Sequence, residues 1–489
     1  MQDLHEGHDD RMTWPRLATV ALGPVLAVIA YLVLGSLTNL ADAPRIVAGV
    51  GVWMGVWWIT EAAPLEITGL LPLVMFPILG VCKVDTAAAP YANFLIFLLL
   101  GGTPLAAAME RWNLHTRLAL GLMSVVGARP AGLVGGFLAV SALISMWVSN
   151  TATTAMLLPV TISVVAVVDA RARMADRERK EFGAALLLAI TYGASIGGVG
   201  TLVGTPPTAQ LAAHLRGNLH VPITFLGWMK IGLPMLAIFV PVAWFVLTRV
   251  AFRISGGEVP GVREVIRAER SKLGPMRAAE RRTLAVFLLT AAAWVGGQWI
   301  GVNDAVIAMA AVVVLALIPS GGVGSEPILT WKTASKAPWG IWLLFGGGLS
   351  LADGIDKSGL AGAVASSGDS LAGHGVLVVL VAISAAAVVL TEFSNNTALV
   401  AIGIPIVSAI AKALGLPPTL LLITLTLSAS LGFMLPAGTA GNALVFQTGR
   451  VSVRQMMKAG LILDVLSAFL IPVLVYGAWK AGFIPEAAP

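Results

Sequence analysis

The sequence predicts an all-α polytopic membrane protein, with about 11 transmembrane helices plus two re-entrant hairpins in an inverted repeat. Three observations predict it. The chain is 57% hydrophobic but only 11% charged, whereas a soluble domain carries about a quarter charged residues, so its apolar exterior must face lipid. Apolar stretches long enough to cross about 30 Å of hydrocarbon recur through its 489 residues. Two of these stretches hold an uncharged polar cluster at their middle: Ser149-Asn150-Thr151 in one and Ser394-Asn395-Asn396-Thr397 in the other.

In chain order, a polar tail at 1–16 lacks the basic n-region of a secretory signal, so the first apolar run reads as a retained span. Spans are expected at 17–39, 44–60, 62–82, 91–111, 184–214, 226–250, 283–301, 303–319, 337–357, 417–447 and 457–480. The first repeat is 17–250, with a re-entrant hairpin at 131–168 and a broken helix at 184–214. A basic cytoplasmic linker at 251–282 is expected to form an amphipathic surface helix. The second repeat is 283–489, with a hairpin at 373–412 and a broken helix at 417–447.

The two polar-centred stretches read equally well, by length, as double spans or as hairpins. The positive-inside rule separates these readings. With the N-terminus cytoplasmic and both stretches returning to their own side, 24 of the 31 Lys and Arg fall in inner loops. The C-terminus then lies outside. Gly101 precedes Asn150 by 49 positions and Gly347 precedes Asn396 by the same 49. Such matched halves with opposite hairpin entry are the sign of an inverted repeat.

After each hairpin comes a span rich in glycine and proline at its middle, Gly197 to Thr208 and Leu435 to Asn442. That density interrupts the helical ladder. In a membrane such a break survives only where it lines a polar cavity. Four helices restart at the tips and breaks, offering free N–H groups and positive dipole ends to an anion. Asn150, Thr151, Asn396 and Thr397 add neutral donors. No Lys or Arg stands at any of the four, so an anion's charge must be balanced by dipoles and co-bound cations. Carbonyls at the preceding helix ends, with Ser149, Asn150 and Asn396, offer neutral all-oxygen cages suited to a monovalent hard cation.

Paired half-crossing hairpins also occur in channels, from which saturable uptake with counter-transport would separate a carrier; the remaining classes lack support. There is no HExxH or P-loop, so no enzyme is expected, and the single cysteine, Cys82, permits neither an internal disulfide nor a metal cluster. The net charge of +6 sits in short loops between apolar spans and does not imply nucleic acid. His5, His8, Asp9 and Asp10 read as a polar tail. Glu61 and Glu66 read as structural residues, and Trp57, Trp58, Trp294 and Trp299 as interfacial belts. Glu392 would repel a dianion and is expected to bond backbone within its hairpin. Asp464, an acid inside a span, is a functional suspect by default, for proton coupling or a packing hydrogen bond.

At these residues the chain resembles the divalent anion/sodium symporter family, carriers of dicarboxylates, citrate or sulfate within the ion transporter superfamily. The likeness covers nearly the whole chain. It includes Trp58-Ile59-Thr60-Glu61-Ala62, Ser149-Asn150-Thr151, Gly204-Thr205-Pro206-Pro207, Thr391-Glu392-Phe393 and Asn396-Thr397. The resemblance implies a homodimer in a bacterial inner membrane, with a transport domain sliding against a scaffold as an elevator. It implies sodium-coupled symport of a C4-dicarboxylate, the alternatives being sodium-independent exchange or carriage of sulfate or citrate. It places one sodium ion among Ser145, Ser149, Asn150 and Gly204, and a second among Thr391, Ser394, Asn396 and Gly438. Substrate carboxylates would meet Asn150, Thr151, Thr205, Pro206, Asn396, Thr397, Thr439 and Ala440. Three positions depart from the family pattern: Asn395 for Ser, Ala440-Gly441 for Pro-Pro, and Thr208 for Asn.

Overall fold

The computed structural model describes residues 14–485 apart from 172–174, 222, 255–256, 323, 337–338, 361 and 364–374. The described residues are helical and form no strands, with one isolated bridge between Pro319 and Pro327. His5, His8, Asp9 and Asp10 lie outside the described residues. Among the described residues, seven helices are long and apolar enough to cross a membrane: Leu17–Leu37, Val84–Arg111, Asn150–Ala170, Asp176–Gly198, Phe225–Ala251, Asn396–Ala413 and Val453–Lys480.

The chain divides into two compact units. The first comprises Met1–Ala92 and Gly340–Ser367. In it α1 (Trp14–Leu37) pairs with α2 (Asp42–Thr60), and Gly49 brings α2 against the Ala27 carbonyl. The apolar stretch after α2 is not one helix but α3 (Leu65–Thr68) and α4 (Leu71–Ile78), followed by α5 (Val84–Ala88). Glu61 ends α2 in the left-handed region at φ 50°. Tyr91 donates its hydroxyl to Gly69 O at 2.5 Å and Trp58 its indole N–H to Leu65 O at 3.1 Å.

The second unit, Asn93–Trp339 with Gly368–Pro489, carries every candidate site residue. It contains α6 (Phe94–Arg111), α7 (Leu114–Met123), α8 (Pro130–Ser145), α9 (Asn150–Arg171), α10 (Asp176–Gly198), α11 (Pro206–Gly217), α12 (Phe225–Phe245), α13 (Val262–Lys272), α14 (Ala278–Ile300), α15 (Asp304–Leu317) and α16 (Trp331–Ala334). A π-helical turn, Val246–Ala251, continues α12. In the first unit the returning helix is α17 (Gly340–Ser358). The second unit then resumes with α18 (Val376–Thr391), α19 (Asn396–Ala413), α20 (Pro418–Ser430), α21 (Ala440–Gln447) and α22 (Val453–Lys480).

Burial in this unit follows a membrane logic. Large apolar side chains stay exposed on the outer helices, as with Leu289 on α14, Val306 and Leu317 on α15, and Phe469 and Val473 on α22. By contrast α10 is buried from Phe182 to Gly198 and α20 from Thr419 to Ser430. These two central helices are the ones that lead into the breaks. Their cores hold small and hydroxyl side chains, which let backbones approach closely. Gly193 faces Leu138 O and Gly197 faces Ala142 O across the α8–α10 crossing, leaving no room for a Cβ at either glycine. Ser384 and Ser428 hydroxyls meet at 2.7 Å across α18 and α20.

Two expectations need correction. The linker 251–282 forms its amphipathic helix over only part of its length: α13 is 11 residues, with Val262 and Ile266 buried and its other face charged, and α14 already begins at Ala278. The tryptophans are not a uniform interfacial belt. Trp58 and Trp294 are each 1% exposed, in tertiary packing, whereas Trp299, at 75%, is freely exposed. An indole buries much area while its N–H can bond a carbonyl, as Trp294 does to Asp304 O at 3.0 Å.

Candidate functional site

The first hairpin is α8 and α9 joined by Met146–Ser149. Ser149 is the N-cap of α9: its Oγ accepts from Ala152 N at 3.3 Å. One residue further, Asn150 Oδ1 accepts from Ser145 Oγ at 2.7 Å, closing the tip across the gap between the two helices. The Asn150 amide lies directly over Gly198, the last residue of α10, where any Cβ would strike Oδ1. Gly204, in the break, is buried against Gly198 O and Ser145 O, which would stand 2.5 Å and 2.9 Å from a Cβ placed there. Ser145, Asn150, Gly198 and Gly204 therefore form one oxygen-rich cluster at the junction of a hairpin tip and a helix break. Ser149 is exposed, with its hydroxyl engaged as the cap.

The break itself is held by threonines. Thr201 Oγ1 donates to Met146 O at 2.5 Å and accepts from Gly204 N at 3.2 Å. Thr205 occupies the N-cap position of α11 without a side-chain cap bond, and the first helical residue is Pro206, a position that needs no amide donor. Thr208 turns its hydroxyl back to Thr205 O at 2.7 Å.

The second half repeats the plan with different chemistry. Thr391 Oγ1 lies 2.6 Å from Asn396 Oδ1 and 2.6 Å from Ala429 O, the counterpart of the Ser145–Asn150 pair at the same spacing of five residues. Asn395 is the N-cap of α19, its Oδ1 accepting from Thr397 N at 2.9 Å. Asn and Ser serve this role about equally, so this departure from the family pattern preserves the cap. It also commits the Thr397 amide, leaving the hydroxyl as that residue's free donor. Ser394 does not join the pair: its hydroxyl donates to Leu390 O at 2.9 Å. Gly438 lies against Glu392 Oε2.

Glu392 binds backbone, but not that of its own hairpin. Its Oε1 accepts from Met434 N at 2.9 Å and its Oε2 from Leu435 N at 2.6 Å, both in the break between α20 and α21. Where the first half ties hairpin to break with Thr201, the second uses this carboxylate. Thr439 N-caps α21, accepting from Asn442 N at 3.1 Å, and Ala440 occupies the first helical position.

The halves also exchange partners. α11 packs against α19 and α20, while α21 packs against α9 and α10. At the second crossing Gly441 sits where a Cβ would lie 2.6 Å from Thr191 Oγ1 and 3.0 Å from Thr154 Oγ1. Asn442 Oδ1 accepts from Thr191 Oγ1 at 2.9 Å while its Nδ2 donates to Leu435 O at 3.1 Å. The sequence reading placed Gly198 and Gly441 in the breaks but gave neither a packing role, and it did not single out Thr154 or Thr191. The signal available was the Gly-x-x-x-Gly spacing of Gly193 and Gly197 on α10, a mark of close packing.

Paired hairpin tips and capped helix breaks, assembled from neutral donors inside an apolar helical bundle, define a membrane transport protein rather than an enzyme. The chain belongs to the sodium:sulfate symporter family, whose transmembrane-region model matches residues 11–483. It is 36% identical over 473 residues to the sodium-dependent dicarboxylate transporter SdcS of Staphylococcus saprophyticus, covering 94% of this chain and 91% of that protein. It is 34% identical over 472 residues to SdcS of Staphylococcus aureus, with the same coverage. Among solved structures the fold is similar to the YdaH transporter of Alcanivorax borkumensis, with TM-score 0.58 and 15% identity over 97% of this chain and 100% of that one. It is also similar to MtrF of Neisseria gonorrhoeae, with TM-score 0.51 and 13% identity over 95% of each.

Proposed function

We propose that this protein carries a small dianion, a C4-dicarboxylate, across a bacterial inner membrane together with sodium. The observation that carries the reading is the pair of hydroxyl–asparagine contacts, Ser145–Asn150 and Thr391–Asn396, beside helix N-termini free of Lys and Arg. Helix N-termini favour carboxylates and the carbonyl ends of broken helices favour alkali cations. A dianion at a site without fixed positive charge needs cations bound with it, and the relatives at 34–36% identity are named sodium-dependent dicarboxylate transporters. One sodium ion is assigned to Ser145, Ser149, Asn150 and Gly204, and the other to Thr391, Ser394, Asn396 and Gly438. Of these, Ser149 and Ser394 would have to turn from their present partners to serve as ligands. The carboxylates are assigned to Asn150, Thr151, Thr205, Pro206, Asn396, Thr397, Thr439 and Ala440.

In this reading 131–168 and 373–412 are re-entrant hairpins of an inverted repeat, the N-terminus is cytoplasmic, the C-terminus is external, and a homodimer supports an elevator motion. The test is uptake of labelled succinate, citrate and sulfate into proteoliposomes. An inward sodium gradient should raise initial succinate uptake several-fold over choline. Equal uptake in both, rescued by substrate loaded inside, would establish exchange instead.

A further inference from the structure

The tip that carries the first hydroxyl–asparagine pair is gripped by a side chain that the transport reading leaves unused. Trp147 stands midway between Ser145 and Ser149. Its ring meets three others: edge-on to Phe287 with centroids 5.1 Å apart, and near-parallel to Phe225 at 6.0 Å and to Trp294 at 6.5 Å. Phe225 and Trp294 stack on one another at 4.6 Å. At such separations aromatic pairs attract beyond the area they bury.

The platform under Trp147 is itself fixed. Phe287 and Trp294 lie two turns apart on α14 and so share a face, and Phe225 is the first residue of α12. All three rings are buried. Asp304, at the start of α15, holds two of them: its Oδ2 accepts from Phe225 N at 2.8 Å and its backbone carbonyl from the Trp294 indole N–H at 3.0 Å. α14 packs on α15, α6 and α12, so Trp147 ties the hairpin tip to a helix outside the hairpin and its break. The preceding residue is held as well, through the Thr201 hydroxyl on Met146 O. The Val148 carbonyl stands 3.5 Å from Ser145 Oγ, which in turn donates to Asn150. The oxygens assigned to the first sodium ion are thus set by backbone that Trp147 pins. The second tip lacks this grip. Phe393 precedes Asn396 by three positions, as Trp147 precedes Asn150, and it is 70% exposed.

We propose that Trp147 is a positioning residue that holds the first hairpin tip in its cation-binding shape before sodium arrives, a support that the second tip, with Phe393 unseated, does not have. Ligands already in place bind an ion without the cost of ordering them, and side chains behind the ligands supply that order. Loss of the Trp147 ring therefore weakens sodium at the first tip, while loss of the Phe393 ring leaves sodium binding as it is. The clamp stands on the ring geometry, and its effect on sodium rests on the sodium reading above.

The experiment measures initial succinate uptake against sodium concentration in proteoliposomes of the full-length protein, alongside hydrogen exchange of the tip amides 146–149 in choline and in sodium. Trp147→Ala should raise the half-maximal sodium concentration roughly threefold to tenfold, the worth of one or two ring pairs, with the rate at saturating sodium little changed. Its tip amides should exchange faster in choline and regain protection as sodium saturates. Trp147→Phe keeps a ring on the platform and should stay close to the wild type, as should Phe393→Ala. If Trp147→Ala fails to fold, Phe287→Leu, which removes the edge contact and leaves the tip sequence intact, should raise the half-maximal sodium concentration in the same direction. A tryptophan that merely packs would lower the melting temperature on truncation and leave the half-maximal sodium concentration where it is; that result, in Trp147→Ala or in its Phe287→Leu substitute, overturns the proposal. So does a Trp147→Phe or a Phe393→Ala as impaired as Trp147→Ala. Wild-type uptake indifferent to sodium sinks the sodium reading instead, and amide exchange at the tip in choline still decides the clamp.

Discussion

Ser145 Oγ donates to Asn150 Oδ1 at 2.7 Å, and Thr391 Oγ1 stands 2.6 Å from Asn396 Oδ1 five residues before its own helix restart. Each contact joins the last turn of one hairpin arm to the first residue of the other. It fixes which way the asparagine amide points and leaves hydroxyl lone pairs available to a cation.

Removing either end should therefore act on transport more than on folding. Asn150→Ala should abolish sodium-driven uptake while the protein stays folded in the membrane. Ser145→Ala loses one hydrogen bond, a net of about 0.5–1.5 kcal/mol, and should raise the half-maximal sodium concentration by roughly two- to tenfold. Thr391→Ser keeps the hydroxyl and should transport, whereas Thr391→Val should not. Initial rates against sodium concentration measure all four.

Gly198 makes room for the Asn150 amide. Gly198→Ala adds one methyl group on a helix end, a change that would normally favour the helix by about 0.5–1 kcal/mol. Here it should displace the asparagine and remove sodium-stimulated uptake with little loss of thermal stability. Near-normal uptake in Gly198→Ala would show that the amide does not need its present seat.

The altered second break separates two neighbouring positions that a family pattern would treat alike. Ala440 is exposed and first in its helix, so Ala440→Pro should be tolerated, alone or with Asn395→Ser, and should shift the ranking among dianions. Gly441→Pro brings ring atoms onto Thr191 and Thr154 and should lower both transport and melting temperature. Competition by succinate, citrate and sulfate, alongside a thermal melt, distinguishes these outcomes.

Thr397 retains a free hydroxyl after its amide is taken by Asn395. A lost donor to a charged acceptor costs about 1.5–3 kcal/mol, so Thr397→Ala should raise the apparent KM for the dicarboxylate at least tenfold. A monocarboxylate of equal length should compete poorly with succinate; equal competition would rule out a dianion held at both ends.

The hairpin tips and breaks were legible because their signals are local. Ser-Asn-Thr between apolar runs, and Gly and Pro inside them, change the backbone where they stand. The structure accordingly ends α8 at Ser145, restarts it at Asn150, and breaks α10 from α11 and α20 from α21. The partners of polar side chains were not legible, since they depend on contacts across the fold. Glu392 bonds an amide 42 positions away, and Thr191 meets Asn442 across 251. Ser394 shows the opposite failure: its hydroxyl falls back on its own helix at Leu390 rather than joining the polar pair that its position suggested. Trp58 and Trp294 were misread because composition alone cannot distinguish an indole at a lipid headgroup from one sealed inside a helix crossing.

The exchange of partners between α11 with α19 and α21 with α9 bears on biogenesis. As the ribosome delivers the chain, the groove on α9 and α10 that will receive Gly441 exists some 250 residues before its occupant. Until then the Thr191 hydroxyl lacks its Asn442 partner, while Thr154 bonds Asn150 O within its own helix, and contacts of such long sequence separation form late. The nascent first half is thus an unfinished lock, one whose key, α21, is the second-last helix to be made. Co-expressed halves split within 251–282 should recover the bundle together, and each alone should be degraded.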